Sequence, residues 1–143
     1  MNPKQNESNN ALTGSNMKGE QQERIRLLLA DDEQEFAATL LARLELRNFE
    51  VTAVANGRDA IAAVEKEMPD VMVLDLKMPD LDGLEVLAQL RRKFSELKVI
   101  ILTGHGSFEA GREGMELGAF DYLMKPVDLN KLIEVVRDAH RQK

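Results

Sequence analysis

Five apolar runs recur along the chain: IRLLLA at 25–30, EVTAVA at 50–55, DVMVLD at 70–75, KVIILT at 98–103 and AFDYLM at 119–124. Their shortness and apolar density predict strands. The first, third and fourth are almost continuously apolar, as parallel strands covered on both faces must be, while 51–55 is weaker and suits a sheet edge. Between the runs the apolar spacing lengthens to that of helices. Phe36, Leu40 and Leu44 share one face, and after a turn at Asn56 and Gly57 so do Ala60, Ile61 and Val64. A third helix is expected to start at Asp82 as N-cap and to bury Leu84, Leu87 and Ala88. A fifth begins at Asp128 and repeats Leu129, Leu132, Ile133 and Val136 at i, i+3, i+4, i+7. With a short fourth helix near 107–116, the pattern is α/β: (βα)5, a doubly wound five-stranded parallel sheet. Gly111 and Gly114 fall inside that fourth helix. Each costs about 1 kcal/mol of helix propensity relative to Ala. Either the helix is marginal and exchanges between folded and melted forms, or the glycines permit close packing on the sheet.

Composition narrows the class. Residues 1–23 are rich in Asn, Gln, Ser, Lys and Glu without an apolar period, so a disordered tail is expected there, followed by one domain over 24–143. The tail has no apolar stretch of the kind a secretory signal needs, and no run approaches the roughly 18 apolar residues of a membrane span. A cytoplasmic protein without membrane contact is the expectation. The absence of Cys excludes disulfides, cysteine-ligated zinc and thiol catalysis. A formal charge of −6 with no basic patch argues against direct nucleic-acid binding.

The chemistry follows from where strands end. In open parallel sheets ligands bind beyond the carboxyl ends of the strands. The first strand runs into Asp31 and Asp32, the third ends at Asp75, the fourth at Thr103, and the fifth is followed by Lys125 and Pro126. Carboxylates gathered in one pocket repel unless a cation neutralises them. Oxygen ligands alone imply a hard ion, and a site that keeps water and phosphate in the ion's shell favours Mg²⁺. Asp75, on the middle strand, is placed to attack phosphorus and form an acyl phosphate. Thr103 and Lys125 would then neutralise the phosphoryl oxygens.

LLLADDE, VLDLKMPDLDGLEVL, VIILTGHG and AFDYLMKPVDL together resemble the four signature blocks of bacterial response-regulator receiver domains over roughly residues 24–140. The spacings of 43 residues from Asp32 to Asp75, 28 on to Thr103 and 22 on to Lys125 resemble that family as well. The resemblance implies a flavodoxin-like strand order 2-1-3-4-5. It also implies that Asp32 ligates the metal directly, Asp31 through water, and that Asp75 is both phosphoacceptor and ligand. The backbone carbonyl of Lys77 would complete the protein ligands. Thr103 resembles the switch hydroxyl, Lys125 its ionic partner, and Tyr122 the aromatic whose rotamer follows Thr103. The implied partners are a sensor histidine kinase or histidine phosphotransfer protein, and a downstream target protein or a second copy of the chain.

Singly, these residues have blander readings: Asp31 and Asp32 as helix-capping acids, Thr103 as a β-branched strand residue, Lys125 as a loop charge, Tyr122 as a half-buried aromatic. Joint placement at four strand ends lifts them. His105 and Lys77 are expected to flank the phosphoryl site and shield it from water, His105 and Pro126 being outside the reacting set. An aspartate-nucleophile phosphatase would place a second acid two residues after the nucleophile, where Lys77 stands instead. No G-x-x-x-x-G-K-[ST] loop is present for a nucleotide hydrolase, and acids stand where a flavin-phosphate loop would be. A stand-alone receiver is expected, with an excised module of a larger transcription activator as the alternative.

Overall fold

The computed structural model describes residues 24–104 and 108–142, so the expected tail and His105 lie outside the described residues. Among the described residues, five strands alternate with five helices: β1 (Ile25–Ala30), α1 (Gln34–Glu45), β2 (Phe49–Val54), α2 (Gly57–Lys66), β3 (Val71–Leu74), α3 (Gly83–Lys93), β4 (Val99–Thr103), α4 (Phe108–Glu116), β5 (Asp121–Met124) and α5 (Leu129–Arg141). All strand pairs are parallel and the order is β2-β1-β3-β4-β5, the doubly wound, flavodoxin-like arrangement expected. The weak second run is indeed an edge.

Alternation along the strands divides the core in two. Leu27 and Leu29 of β1, Val71 and Val73 of β3, and Ile100 and Leu102 of β4 pack beneath α1 and α5 with Leu40, Leu44, Leu132 and Val136. The intervening Leu28, Met72, Leu74, Val99 and Ile101 pack on the opposite face against Ala60, Val64, Val86, Leu87 and Leu90. A side-chain period of two therefore serves two helical layers with one apolar sequence. Full burial of each Leu or Ile stabilises by roughly 1.5–3 kcal/mol relative to exposure.

Several boundaries differ from expectation. β3 begins at Val71 because Asp70 uses its carboxylate, and not a carbonyl, to accept the Arg26 N–H at 2.8 Å. β5 is confined to Asp121–Met124, two residues shorter than its apolar run. In α3 the stripe on the sheet is Gly83, Val86, Leu87 and Leu90, while Leu84 and Ala88 are only half-buried. The reason is the first turn: Asp82 caps it by accepting from Leu84 N–H at 3.0 Å, and Gly83 donates to Leu76 O at 2.9 Å, which turns Gly83 inward. In α4, Gly111 and Gly114 are buried where the helix comes closest to the sheet. A Cβ on Gly111 would lie 3.3 Å from the Tyr122 ring, and one on Gly114 2.4 Å from Ile101 Cδ1, which favours the close-packing reading of these glycines.

The loop after β3 is tied down twice. Lys77 and Asp82 form an antiparallel bridge across it. The Asp80 carboxylate accepts from Gly57 N–H at 2.8 Å and Arg58 N–H at 3.0 Å, so it sits on the N-terminus of α2, where a negative charge meets the helix dipole. Those bonds, chiefly the one from Gly57, hold the Asp80 carboxyl below its ordinary pKa.

Gly83→Ala tests how tightly this loop is built. The added Cβ would fall 2.4 Å from Leu76 Cα and 2.6 Å from its carbonyl oxygen, both backbone. Despite better helix propensity, the substitution should destabilise by about 1–3 kcal/mol, as overpacking does. A urea melt read by circular dichroism should show a lower midpoint; an unchanged or raised midpoint would contradict the close approach.

Candidate functional site

The carboxyl ends of β1, β3, β4 and β5 converge on one edge of the sheet. Asp31, Asp75 and Thr103 are the buried polar side chains among the described residues, each at most 2% exposed. Burial of charge is costly without partners. The backbone fixes both acids: Asp31 N–H donates to Val54 O at 3.0 Å, and Asp75 N–H donates to Ala30 O at 2.9 Å. Asp31 Oδ1 accepts from Glu33 N–H at 2.9 Å. Helix capping does not account for Asp31 and Asp32, because the N-cap of α1 is Glu33, which makes no side-chain cap bond.

Asp75 is held from two sides. Its Oδ1 accepts from Thr103 Oγ1 at 2.6 Å and from Lys77 N–H at 3.2 Å, and its Oδ2 lies 3.3 Å from Lys125 Nζ. Lys125 also meets Asp31 Oδ2 at 2.8 Å and Glu33 Oε1 at 2.6 Å. Beneath it the Phe36 ring centre lies 4.3 Å from Nζ, a cation–π contact. Lys125 is placed by its own backbone N–H, which donates to Thr103 O at 3.0 Å, and a cis peptide bond joins it to the exposed Pro126.

Burial and charge oppose each other here. Desolvation pushes the Asp31 carboxyl above its ordinary pKa, and the Lys125 ammonium and the Glu33 N–H offset only part of that. For Lys125 desolvation works against the charged form, but bonds to Asp31 and Glu33 and the charges of Asp31 and Asp75 outweigh it and raise its pKa. Asp31, Asp32 and Asp75 each offer a carboxylate oxygen, all within 4.8 Å of one another, with Asp32 exposed at the mouth. Oxygen donors only, with more negative than positive charge, fit a hard divalent cation.

Of the sequence-predicted residues, Asp31, Asp32, Asp75, Thr103 and Lys125 come together. Lys77 lies beside them with its side chain exposed. Tyr122 stands one strand over, paired in register with Ile101, its ring against Gly111 of α4. Glu33 was missed. It is separated from Lys125 by 92 positions, and only the meeting of the segments that follow β1 and β5 at one edge of the sheet brings them together.

The response regulator receiver domain model matches residues 27–137. The chain belongs to the response-regulator receiver family. Among curated relatives, it is 35% identical over 114 residues to the regulatory protein AtoC of Escherichia coli, covering 80% of this chain and 25% of AtoC. It is 36% identical over 113 residues to the response regulator MprA of Mycolicibacterium vanbaalenii, covering 79% of this chain and 49% of MprA. The chain thus spans half or less of these relatives. Among solved structures, the Francisella response regulator 1452 receiver domain superposes with a TM-score of 0.78 at 32% identity, covering 83% of this chain and 98% of that one. A CheY-like receiver from Methanospirillum hungatei gives 0.79 at 29% identity, covering 82% and 94%. Receiver domains are signalling switches and not classical enzymes; they bind Mg²⁺ at an acidic pocket and interact with histidine kinases and output domains. Among the described residues, no helix is long and apolar enough to cross a membrane.

The receiver's charge balance can be measured. Lys125→Met leaves three carboxylates facing one another, and removing one partner of a buried pair is strongly destabilising. A loss of about 3 kcal/mol at pH 7.5 is expected, the lower end of that range because Glu33 is half-exposed and can turn to water. Since the raised pKa of Asp31 makes the folded protein hold its proton more tightly than the unfolded chain, stability falls as pH rises through the window above 3.8. In the variant that window widens upward. Metal-free denaturant melts should therefore show the deficit shrinking as pH is lowered toward 5; a deficit independent of pH would contradict the charge balance described.

Proposed function

We propose that this domain accepts a phosphoryl group on Asp75 from the phosphohistidine of a sensor kinase or phosphotransfer protein, in the cytoplasm, and that the modification switches its contacts with an output partner. The observation that carries this is a buried carboxylate clamped between a hydroxyl and an ammonium beside two further acids. Asp31, Asp32, Asp75 and the backbone carbonyl of Lys77 would hold Mg²⁺. When bound, that ion supplies neutralisation of charge on the phosphoryl oxygens and on the carboxylates.

The residues of the chain do the rest. An oxygen of Asp75 forms the new bond to phosphorus as the phosphorus–nitrogen bond breaks, and the electron pair leaves on the imidazole, which takes up a proton. Thr103 Oγ1 and Lys125 Nζ, both partners of Asp75 before transfer, pass to the phosphoryl oxygens and stabilise their charge. The Thr103 hydroxyl then leaves its resting position. Tyr122, whose backbone pairs with Ile101 on the strand that ends in Thr103 and whose ring lies against Gly111, is the route by which the change reaches α4 and the face of α4, β5 and α5. Relatives of this chain include transcriptional regulators, and AtoC and MprA extend well beyond the matched region, which supports output through control of transcription, as a module of a longer regulator, over a stand-alone receiver.

Incubation with a small phosphodonor and Mg²⁺ should add one phosphoryl group, mapped to Asp75 by intact mass and peptide analysis. Asp75→Ala and EDTA should each abolish it. Labelling of Asp75→Ala at the wild-type rate, or labelling indifferent to EDTA, would overturn the proposal; steady phosphate release from a phosphomonoester without a trapped adduct would favour the phosphatase reading instead.

A further inference from the structure

An ammonium has three N–H donors, and Lys125 meets three carboxylates: Glu33 at 2.6 Å, Asp31 at 2.8 Å and Asp75 at 3.3 Å. It is fully subscribed before any phosphoryl group arrives. A phosphoryl oxygen can gain Lys125 while Asp75 is still an ionised nucleophile only if one of these contacts gives way. The three are unequal. The side chains of Asp31 and Asp75 are each 1% exposed and pinned by backbone and hydroxyl donors, whereas that of Glu33 is 52% exposed at the head of α1. Turning Glu33 into water costs little, because half-exposed ion pairs contribute little. Moving either buried acid would strand a charge.

We propose that Glu33 is a positioning residue that competes with the incoming phosphoryl group for Lys125 and so selects against the most anionic phosphodonors. The inference rests on the assignment of Asp75 as phosphoacceptor. Two effects act together: Glu33 occupies the donor that a phosphoryl oxygen needs, and its charge beside Lys125 adds to the repulsion met at the acidic mouth, where Asp32 is also exposed. Both weigh more heavily on a dianion. In each transfer the Asp75 oxygen–phosphorus bond forms. With acetyl phosphate the phosphorus–oxygen bond to the acetyl group breaks and acetate leaves with the electron pair. With phosphoramidate the phosphorus–nitrogen bond breaks and the protonated nitrogen leaves as ammonia. At neutral pH acetyl phosphate is a dianion, while phosphoramidate, protonated on nitrogen, carries one negative charge fewer.

The test compares initial labelling rates of the full 143-residue chain and its Glu33→Gln variant with these two donors in Mg²⁺. Glu33→Gln should accelerate labelling by acetyl phosphate about three- to tenfold and by phosphoramidate less than about twofold, sizes in keeping with one partly screened charge. At 1 M salt, where screening reaches within about 3 Å, the difference between donors should shrink. Equal acceleration with both donors, no change with either, or slowing with both would each overturn the role of Glu33. A merely structural role, or damaged folding, would move both donors alike. If neither donor labels Asp75 in the unaltered protein, the phosphoacceptor assignment itself fails, which separates that outcome from failure of the Glu33 proposal.

Discussion

Like charges buried together at the end of a parallel sheet are what this structure is organised around. Asp31 and Asp75 are almost wholly withdrawn from water, and the ammonium of Lys125 lies within 3.3 Å of both. Taking two charges from water costs several kcal/mol each even after relaxation, and their mutual repulsion adds to that cost. Lys125 offsets part of it without removing it, as the raised pKa of Asp31 shows. The resting pocket is therefore poised to favour whatever brings positive charge or removes negative charge. A divalent cation would do the first, and the proposed acyl phosphate on Asp75 would move negative charge off the buried carboxylate and outward onto phosphoryl oxygens.

Such a pocket needs a rigid frame, since charges 3 Å apart would otherwise relax away from one another. The frame is backbone. Ladder bonds run to the very edge of the site, from Asp75 N–H to Ala30 O and from Lys125 N–H to Thr103 O. The loop beyond Asp75 is closed by the Lys77–Asp82 bridge, by Gly83 against Leu76 and by Asp80 on the head of α2. These contacts bind α2 and α3 to the loop that follows Asp75. On the other flank the half-buried Tyr122 packs closely against Gly111 of α4. The backbone ties on the β3 side keep the carboxylates in place.

The fold alone would host many activities, and five-stranded doubly wound sheets do. Function here resides in the residues at the strand ends, which is why a family resemblance carried by DDE, LD, LT and MKP is informative and the strand order by itself is not.

Much of this was legible in the sequence. Strands covered on both faces must be apolar at nearly every position, so β1, β3 and β4 stood out as continuous runs, and the reversal of helical period between them gave the (βα)5 order. The convergence of the site residues was legible for a related reason: in a parallel sheet all strands end on the same side, so an Asp, a Thr and a Lys at successive strand ends must meet. What periodicity could not supply was anything set by contact between remote segments. The sheet face of α3 was misjudged by one residue, because a bond from Gly83 to Leu76 decides the helix's rotation. The glycines of α4 admitted two readings until Tyr122 and Ile101 were seen against them. Glu33 looked like one more acid in a run; only the tertiary fold, by bringing the segments that follow β1 and β5 to the same edge of the sheet, made it a partner of Lys125, since pairing across 92 residues leaves no trace in local spacing.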